Sequence, residues 1–254
     1  MKPHAFGRPY RFGLRTLLVL VIAIWCGIWK NKANRQRTAV KVISTSGSFV
    51  YSHEFPFRGL MKPGEVRKVD YAAKPPGPAW LRSIVGDDYF QTVRMVHFSP
   101  TDEAMKQLAN LPDVGDVAMD AYQLTDEGFK QLSHLRNLEN LTISNGHNLS
   151  NSMAVLTTLP RIRRLLIYNT PIDYRSVEHF AKLANLRQLH LSATLLSDED
   201  VARLCALLPN ASIDVDHGDP DMPRYQPPTG KPQKGAWLPY DKYRGTPLDP
   251  RRGK

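Results

Sequence analysis

The sequence predicts an α/β solenoid of about five 24-residue strand–helix units, placed after an N-terminal transmembrane helix. Two observations predict it. The first is a repeat that keeps its period from residue 90 onward. Val93, Val117, Leu141, Leu165, Leu189 and Ile213 fall in one column, and Met95, Met119, Ile143, Ile167, Leu191 and Val215 in a second. Leu108, Leu132, Leu156, Phe180 and Leu204 form a third, and Leu111, Leu135, Leu159, Leu183 and Leu207 a fourth, with no insertion needed. A fixed period in this range means stacked units, each burying its apolar face only against its neighbours. The second observation is the uncharged run Thr16–Trp29 (TLLVLVIAIWCGIW).

Residues 1–11 are a basic segment. Residues 12–29, as a helix, span about 27 Å at 1.5 Å per residue, close to the ~30 Å hydrocarbon core of a bilayer. Arg15 can snorkel toward the headgroups, and Trp25 and Trp29 sit where an aromatic belt belongs. A cleaved signal peptide needs a small-x-small site after the run, and none follows. A lipoprotein signal at Cys26 needs a small residue before it, where Trp25 stands. Lys2, Arg8, Arg11 and Arg15 before the span nearly balance Lys30, Lys32, Arg35, Arg37 and Lys41 after it, so the positive-inside count does not decide orientation. The habit of short N-terminal anchors puts the N-terminus inside and the repeats outside.

Residues 30–79 read as a juxtamembrane helix, a strand and a linker. Ala39–Ser44 is expected as the last turns of a helix stopped by Gly47, Ser48–Phe55 alternates as a strand, and Pro63-Gly64 and Pro75–Pro78 mark turns. The repeat domain with its N-terminal cap is 80–216. Trp80, Leu81, Ile84 and Val85 are expected to cover the core that the first repeat leaves open.

One unit, Leu138–Arg161, shows the logic. Leu138, Leu141 and Ile143 alternate as a short strand, and Met153, Leu156 and Leu159 recur every third residue as the inward stripe of a short helix or 3₁₀ segment. Thr101, Thr125, Asp173 and Ser197 stand where each helical stripe begins and are expected as N-caps. Asp-Glu after three of them adds carboxylates that the helix dipole favours. The third unit breaks the pattern: Leu149 holds the cap position and Asn148 an otherwise apolar one, so a local bulge is expected.

IRRLLIYNTPID (162–173) and LRQLHLSATLLS (186–197), each leading into a polar helix start, resemble the leucine-rich repeat over roughly residues 90–216. Thr170 and Thr194 match the family's ladder position; Phe98, Tyr122 and Gly146 do not. With RFGLRTLL (11–18) and WLRSIVGDDYF (80–90), the chain resembles small membrane-anchored leucine-rich-repeat proteins of planctomycete bacteria. The resemblance implies an interaction module and no enzyme.

The net charge of +10 is uneven. Residues 1–41 hold nine Lys/Arg and no acid, residues 217–254 hold eight against four Asp, and residues 42–216 are near neutral. A nucleic-acid reader carries its charge on the folded surface, so no nucleic acid is expected. The tail 217–254 is Pro-, Gly- and base-rich without apolar periodicity and is expected to be disordered. Cys26 and Cys205 make no disulfide framework and read as packing residues.

Asp87-Asp88 lacks further ligands at metal spacing, and His134, His147, His179 and His190 occupy four different positions of the unit. No nucleophile–base pattern, phosphate-cradling loop or dinucleotide fingerprint occurs, so no catalysis, cofactor, metal or small-molecule substrate is expected. Strand residues flanking the core positions form three concave columns. They read Thr92, Asp116, Asn140, Arg164, Gln188, Ser212; then Arg94, Ala118, Thr142, Leu166, His190, Asp214; then Val96, Asp120, Ser144, Tyr168, Ser192, Asp216. Arg164, Leu166, Tyr168 and His190 combine residue types enriched at interface hot spots. The sequence therefore reads as a membrane-anchored module binding a protein or peptide through that face. The rival reading is a structural envelope protein whose basic tail binds an anionic surface or polymer.

Overall fold

Alternating Leu141/Ile143, Leu165/Ile167 and Leu189/Leu191 make five-residue strands that pair in parallel, each residue opposite its equivalent 24 positions on. The structure, a computed structural model, describes residues 14–54, 69–147, 149, 152–194 and 196–216. The chain divides into Met1–Met222 and Pro223–Lys254, and every described residue lies in the first unit. The expected basic segment 1–11 and disordered tail 217–254 lie outside the described residues.

In chain order the elements are α1 (Leu14–Ile43), β1 (Gly47–Tyr51), α2 (Ala79–Val85), β2 (Val93–Phe98), α3 (Asp102–Lys106), β3 (Asp116–Asp120), α4 (Asp126–Phe129), β4 (Asn140–Ser144), β5 (Arg164–Tyr168), α5 (Tyr174–Ala181), β6 (Gln188–Ser192), α6 (Asp198–Leu207) and β7 (Ser212–Asp216). 3₁₀ turns follow α3 and α4, and a 3₁₀ segment, Met153–Thr158, is the whole helical part of the third unit. One seven-stranded sheet runs in sequence order from β1 to β7, parallel except for the antiparallel pairing of β1 with β2.

The core lies between sheet and helices. Val117, Leu141, Leu165 and Leu189 are buried, as are Leu108, Leu132, Leu156, Phe180 and Leu204 from the helical side. Each such side chain contributes roughly 1.5–3 kcal/mol of burial. Two columns slip, by three residues in β2 and by one in the last unit. In β2, Val96 and Phe98 align with Val117 and Met119 and are buried, while Met95 is only half-buried. β2 pairs three residues out of the 24-residue period, an odd shift that exchanges the faces of a strand; Phe98 is buried by it, and Val93 at the start of the strand is buried as well. In the last unit Leu207 is 45% exposed and Leu208 takes the inward place at 8%.

The N-terminal end of the core is closed differently from expectation. No residue of α2 is buried, and Trp80 and Ile84 are exposed, so they do not cover the core. The cover is the second half of α1. Ala33, Gln36, Ala39 and Ile43 recur at helical spacing and are all buried. Gln36 Nε2 donates to the Gln91 carbonyl at 3.0 Å, and Gln36 Oε1 accepts from the Val93 amide at 3.3 Å. α1 ends at Ile43, before Gly47. Gly47 instead lets β1 approach: a Cβ there would collide with the His97 carbonyl and Phe98. Among the described residues no helix is long and apolar enough to cross a membrane. Of the expected span 12–29, Phe12 and Gly13 lie outside the described residues, as do the side chains of Leu14, Arg15, Ile22, Trp25 and Cys26.

All four predicted caps occupy the N-cap position. Thr101 accepts from the Ala104 amide, Asp173 from Arg175, and Ser197 forms a reciprocal capping box with Asp200. Thr125 makes no such bond. Its amide and hydroxyl donate instead to Asp102 of the preceding unit, at 3.0 and 2.6 Å. Gly128 leaves room for that carboxylate, with which a Cβ would collide. Ser152 likewise donates to Asp126. In the third unit Leu149 is buried, one position later than Leu124 and Ile172; Asn148, Ser150 and Asn151, where the bulge is expected, lie outside the described residues. Cys205, expected as a packing residue, is exposed on α6.

The slip in the last unit gives a direct check. Leu208→Ala should cost about 2–3 kcal/mol and Leu207→Ala no more than about 0.5 kcal/mol in chemical denaturation. Equal costs would restore the unslipped column.

Candidate interaction face

From β3 to β7 the concave columns form as the period requires. Asn140, Arg164, Gln188 and Ser212 stand in one row, Thr142, Leu166, His190 and Asp214 in the next, and Ser144, Tyr168, Ser192 and Asp216 in the third. The first unit departs from this. Because β2 is slipped, Met95 and His97 stand opposite Asp116 and Ala118, and Val96 belongs to the core rather than the concave face. Burial holds the His97 imidazole below its ordinary pKa. Arg94 reaches across two units, with Nε 3.8 Å from Asp116 Oδ2 and Nη2 donating to Glu139 Oε1 at 3.1 Å.

The structure brings Arg164, Leu166, Tyr168 and His190 together. Arg164, Leu166 and Tyr168 share one face of β5, and His190 stands opposite Leu166 on β6. All four are half-buried. The rings of Tyr168 and His190 lie 5.0 Å apart, tilted by 48°, within the range of a favourable aromatic contact. Burial is the main cause that raises the Tyr168 hydroxyl above its ordinary pKa. His190 Nδ1 lies 2.8 Å from Asp214 Oδ2, the geometry of a donor from a ring with its proton on Nδ1. Asp214 is largely exposed, so this pair is worth under about 1 kcal/mol and orients the ring more than it stabilises the fold.

Sequence reasoning missed the turn that borders this face. Asn145, Asn169 and Ala193, one after each of β4, β5 and β6, have positive φ of 58°, 45° and 52°. Asn tolerates that region better than other L residues. Asn169 Nδ2 donates to Asn145 Oδ1 at 2.8 Å, and Asn145 Nδ2 donates to Asp120 Oδ1 at 3.0 Å. A polar ladder thus runs along the rim one position before the family's Thr position. Thr170 adds to it, accepting from the Gly146 amide and donating to the Tyr168 carbonyl. The signal was Asn recurring at 145 and 169.

Asp87 and Asp88 each accept from an arginine, Asp87 from Arg82 at 3.0 Å and Asp88 from Arg37 at 2.5 Å. Among the described residues no three His, Cys, Asp or Glu side chains are placed to hold a metal ion.

These parallel 24-residue strand–helix units have the architecture of a leucine-rich-repeat solenoid. No protein-family profile and no curated protein matches the chain. Solved structures similar to it include a leucine-rich-repeat protein of Leptospira interrogans, with 24% identity over 43% of this chain and 27% of that one and a TM-score of 0.34. The TLR13–ssRNA13 complex matches with 18% identity over 48% and 18% of the two chains and a TM-score of 0.38. The Rad7–Elc1 complex of yeast matches with 16% identity over 82% and 52% and a TM-score of 0.45. The chain thus spans 27%, 18% and 52% of those chains.

Two predictions follow from the rim. Burial keeps the Asp120 carboxyl above its ordinary value of 3.8 although Asn145 donates to it. The folded chain therefore holds that proton more tightly than the unfolded chain. Its contribution to stability is greatest at low pH and is lost as pH rises through the raised folded value. Asp120→Asn keeps the acceptor and removes the charge. The variant should melt above wild type at neutral pH, and the difference should vanish on acidification below 3.8. A constant difference across the whole titration would mean that Asp120 is not the cause. Ala193→Asn should also raise the melting temperature by a few degrees, because Asn accepts positive φ and can extend the ladder from Asn169.

Proposed function

We propose that this chain is a non-catalytic interaction module that engages a protein or peptide partner through the concave face of β5 and β6, and that residues 12–29 hold it at a membrane. The observation that carries the first part is the half-buried patch of Arg164, Leu166, Tyr168 and His190, in which Tyr168 and His190 pack ring on ring. Stiff aromatic and planar cationic groups lose little entropy when a partner covers them, which is why Tyr and Arg dominate interface energies. The patch also carries a graded polarity. Arg164 lies at one end of β5, and Asp214 and Asp216 on β7 lie beyond His190 and Ser192. A partner segment crossing the strands in the direction of the stack therefore meets Arg164, Leu166 and Tyr168 together on β5, then His190 on β6, then two carboxylates on β7. The membrane part is supported by the exposed Leu17, Leu18, Val19, Leu20, Val21, Ile24 and Ile28 of α1.

The test of the first part is affinity. A partner is captured by photocrosslinking from the full chain with the label at Thr142, and its binding is then titrated. Tyr168→Ala or Arg164→Ala should weaken it about thirtyfold, the cost of a true hot spot. Lys130→Ala and Lys182→Ala, on the convex side, should leave it unchanged. Equal affinity in all four would remove the concave face as the site.

A further inference from the structure

Exposed apolar surface in this molecule is concentrated at one end. Among the described residues, the exposed large hydrophobic side chains fall within Leu17–Trp29 of α1 and Tyr71–Val85, with Tyr174 and Leu207 the only others. The two segments expose it in different ways. Leu17, Leu18, Val19, Leu20 and Val21 are consecutive and all exposed. Neighbouring helical positions differ by 100°, so these side chains point all round the helix. A groove on another protein covers one side of a helix, whereas lipid covers every side. In α2 the exposure is one-sided. Trp80 is 66% and Ile84 73% exposed. Four residues apart, they share a face. Such a stripe, with Trp in it, suits the headgroup boundary of a bilayer.

The residues that flank α2 on both sides tie it to α1. Arg82 of α2 donates to Asp87, and the adjacent Asp88 accepts from Arg37 of α1. Gln36 donates to the Gln91 carbonyl, and Trp29, Lys32 and Ala33 line a hollow together with Pro76 and Phe90. Pro76 before α2 and Asp88, Phe90 and Gln91 after it therefore lie along α1 between Trp29 and Arg37, about 12 Å of helix rise. That is where the apolar half of α1 ends. Lys30 and Arg35, both exposed on the same stretch, supply charge that suits lipid phosphates.

We propose that Trp80 and Ile84 seat α2 in the headgroup region of a bilayer, beside the point where α1 leaves it. The repeat domain then has two attachments to the lipid surface and a fixed tilt. This rests on the membrane reading of residues 12–29. Because α1 continues without a break from its apolar half into the buried stripe Ala33, Gln36, Ala39 and Ile43, a tilt set at α2 is passed rigidly to the solenoid.

Tryptophan quenching by brominated lipids tests it. The full chain is reconstituted into vesicles of phosphatidylcholine and phosphatidylglycerol in two single-tryptophan forms. Trp25→Phe/Trp29→Phe/Trp237→Phe leaves Trp80, and Trp25→Phe/Trp80→Phe/Trp237→Phe leaves Trp29. Trp80 emission should be lost to bromines just below the headgroups and spared by bromines near the bilayer centre. Trp29 emission should also be lost. Quenching of Trp29 with none of Trp80 would overturn the seat on α2 and leave the anchor standing. Quenching of neither would overturn both readings. If Trp80 is shielded from an aqueous quencher but untouched by bromines, and the shielding grows with protein concentration, a second copy covers the stripe and the lipid proposal falls.

Discussion

The interaction on which the rest depends is the burial of one repeat's leucines by the next. Leu141, Leu165 and Leu189 have no solvent exposure because equivalent residues lie on both sides of them. A unit of this size cannot bury such a face alone. The constraint therefore moves to the ends of the stack, where a neighbour is missing. At the N-terminal end a different kind of element supplies it. α1 lays a narrow stripe over the first unit, and β1 satisfies the edge of β2 with antiparallel hydrogen bonds. Gln36 is the join. A buried amide with both ends unmade would cost free energy, and both of its ends bond to backbone of the first unit. At the other end β7 is only half-buried and α6 buries little beyond Leu204 and Leu208.

Apolar stacking by itself is tolerant of slips, as β2 and Leu208 show. What holds the central units in exact 24-residue register is polar. Asp102 takes the cap of the next unit, and Asn145 and Asn169 bond in series along the rim. Asn137 and Asn185 each donate to the carbonyl of a proline one unit earlier, Pro112 and Pro160. These bonds run between units and need short side chains at fixed offsets, so a one-residue shift breaks them. The slips occur at the two ends of the stack, in β2 and at Leu208.

This division explains what could be read from the sequence. The inward columns were plain, because period and apolar identity together specify a face. The concave rows from β3 to β7 followed from strand alternation alone, and they placed Arg164, Leu166, Tyr168 and His190 on one surface. The N-terminal cover was hidden for a physical reason. Its stripe is Ala33, Gln36, Ala39 and Ile43, small or polar at three of its four positions, and it carries almost no hydrophobic period. Trp80 and Ile84 looked like a cap because large apolar residues usually are buried. The rim ladder is harder to see in the sequence because the residue that bonds along the stack is Asn169, one position before Thr170.

Rigidity is the property that links the fold to the proposed face. The Tyr168 and His190 rings are held from three directions: by each other, by Asp214 on the next strand, and by the hydrogen bonds of the Asn145–Asn169 rim that fix the ends of β4 and β5. None of these contacts requires a partner. Preorganisation of that kind lowers the ordering cost of association. The same ladder that pays for register thereby presents the patch. A substitution at Asn145 or Asn169 would loosen the concave face without touching it.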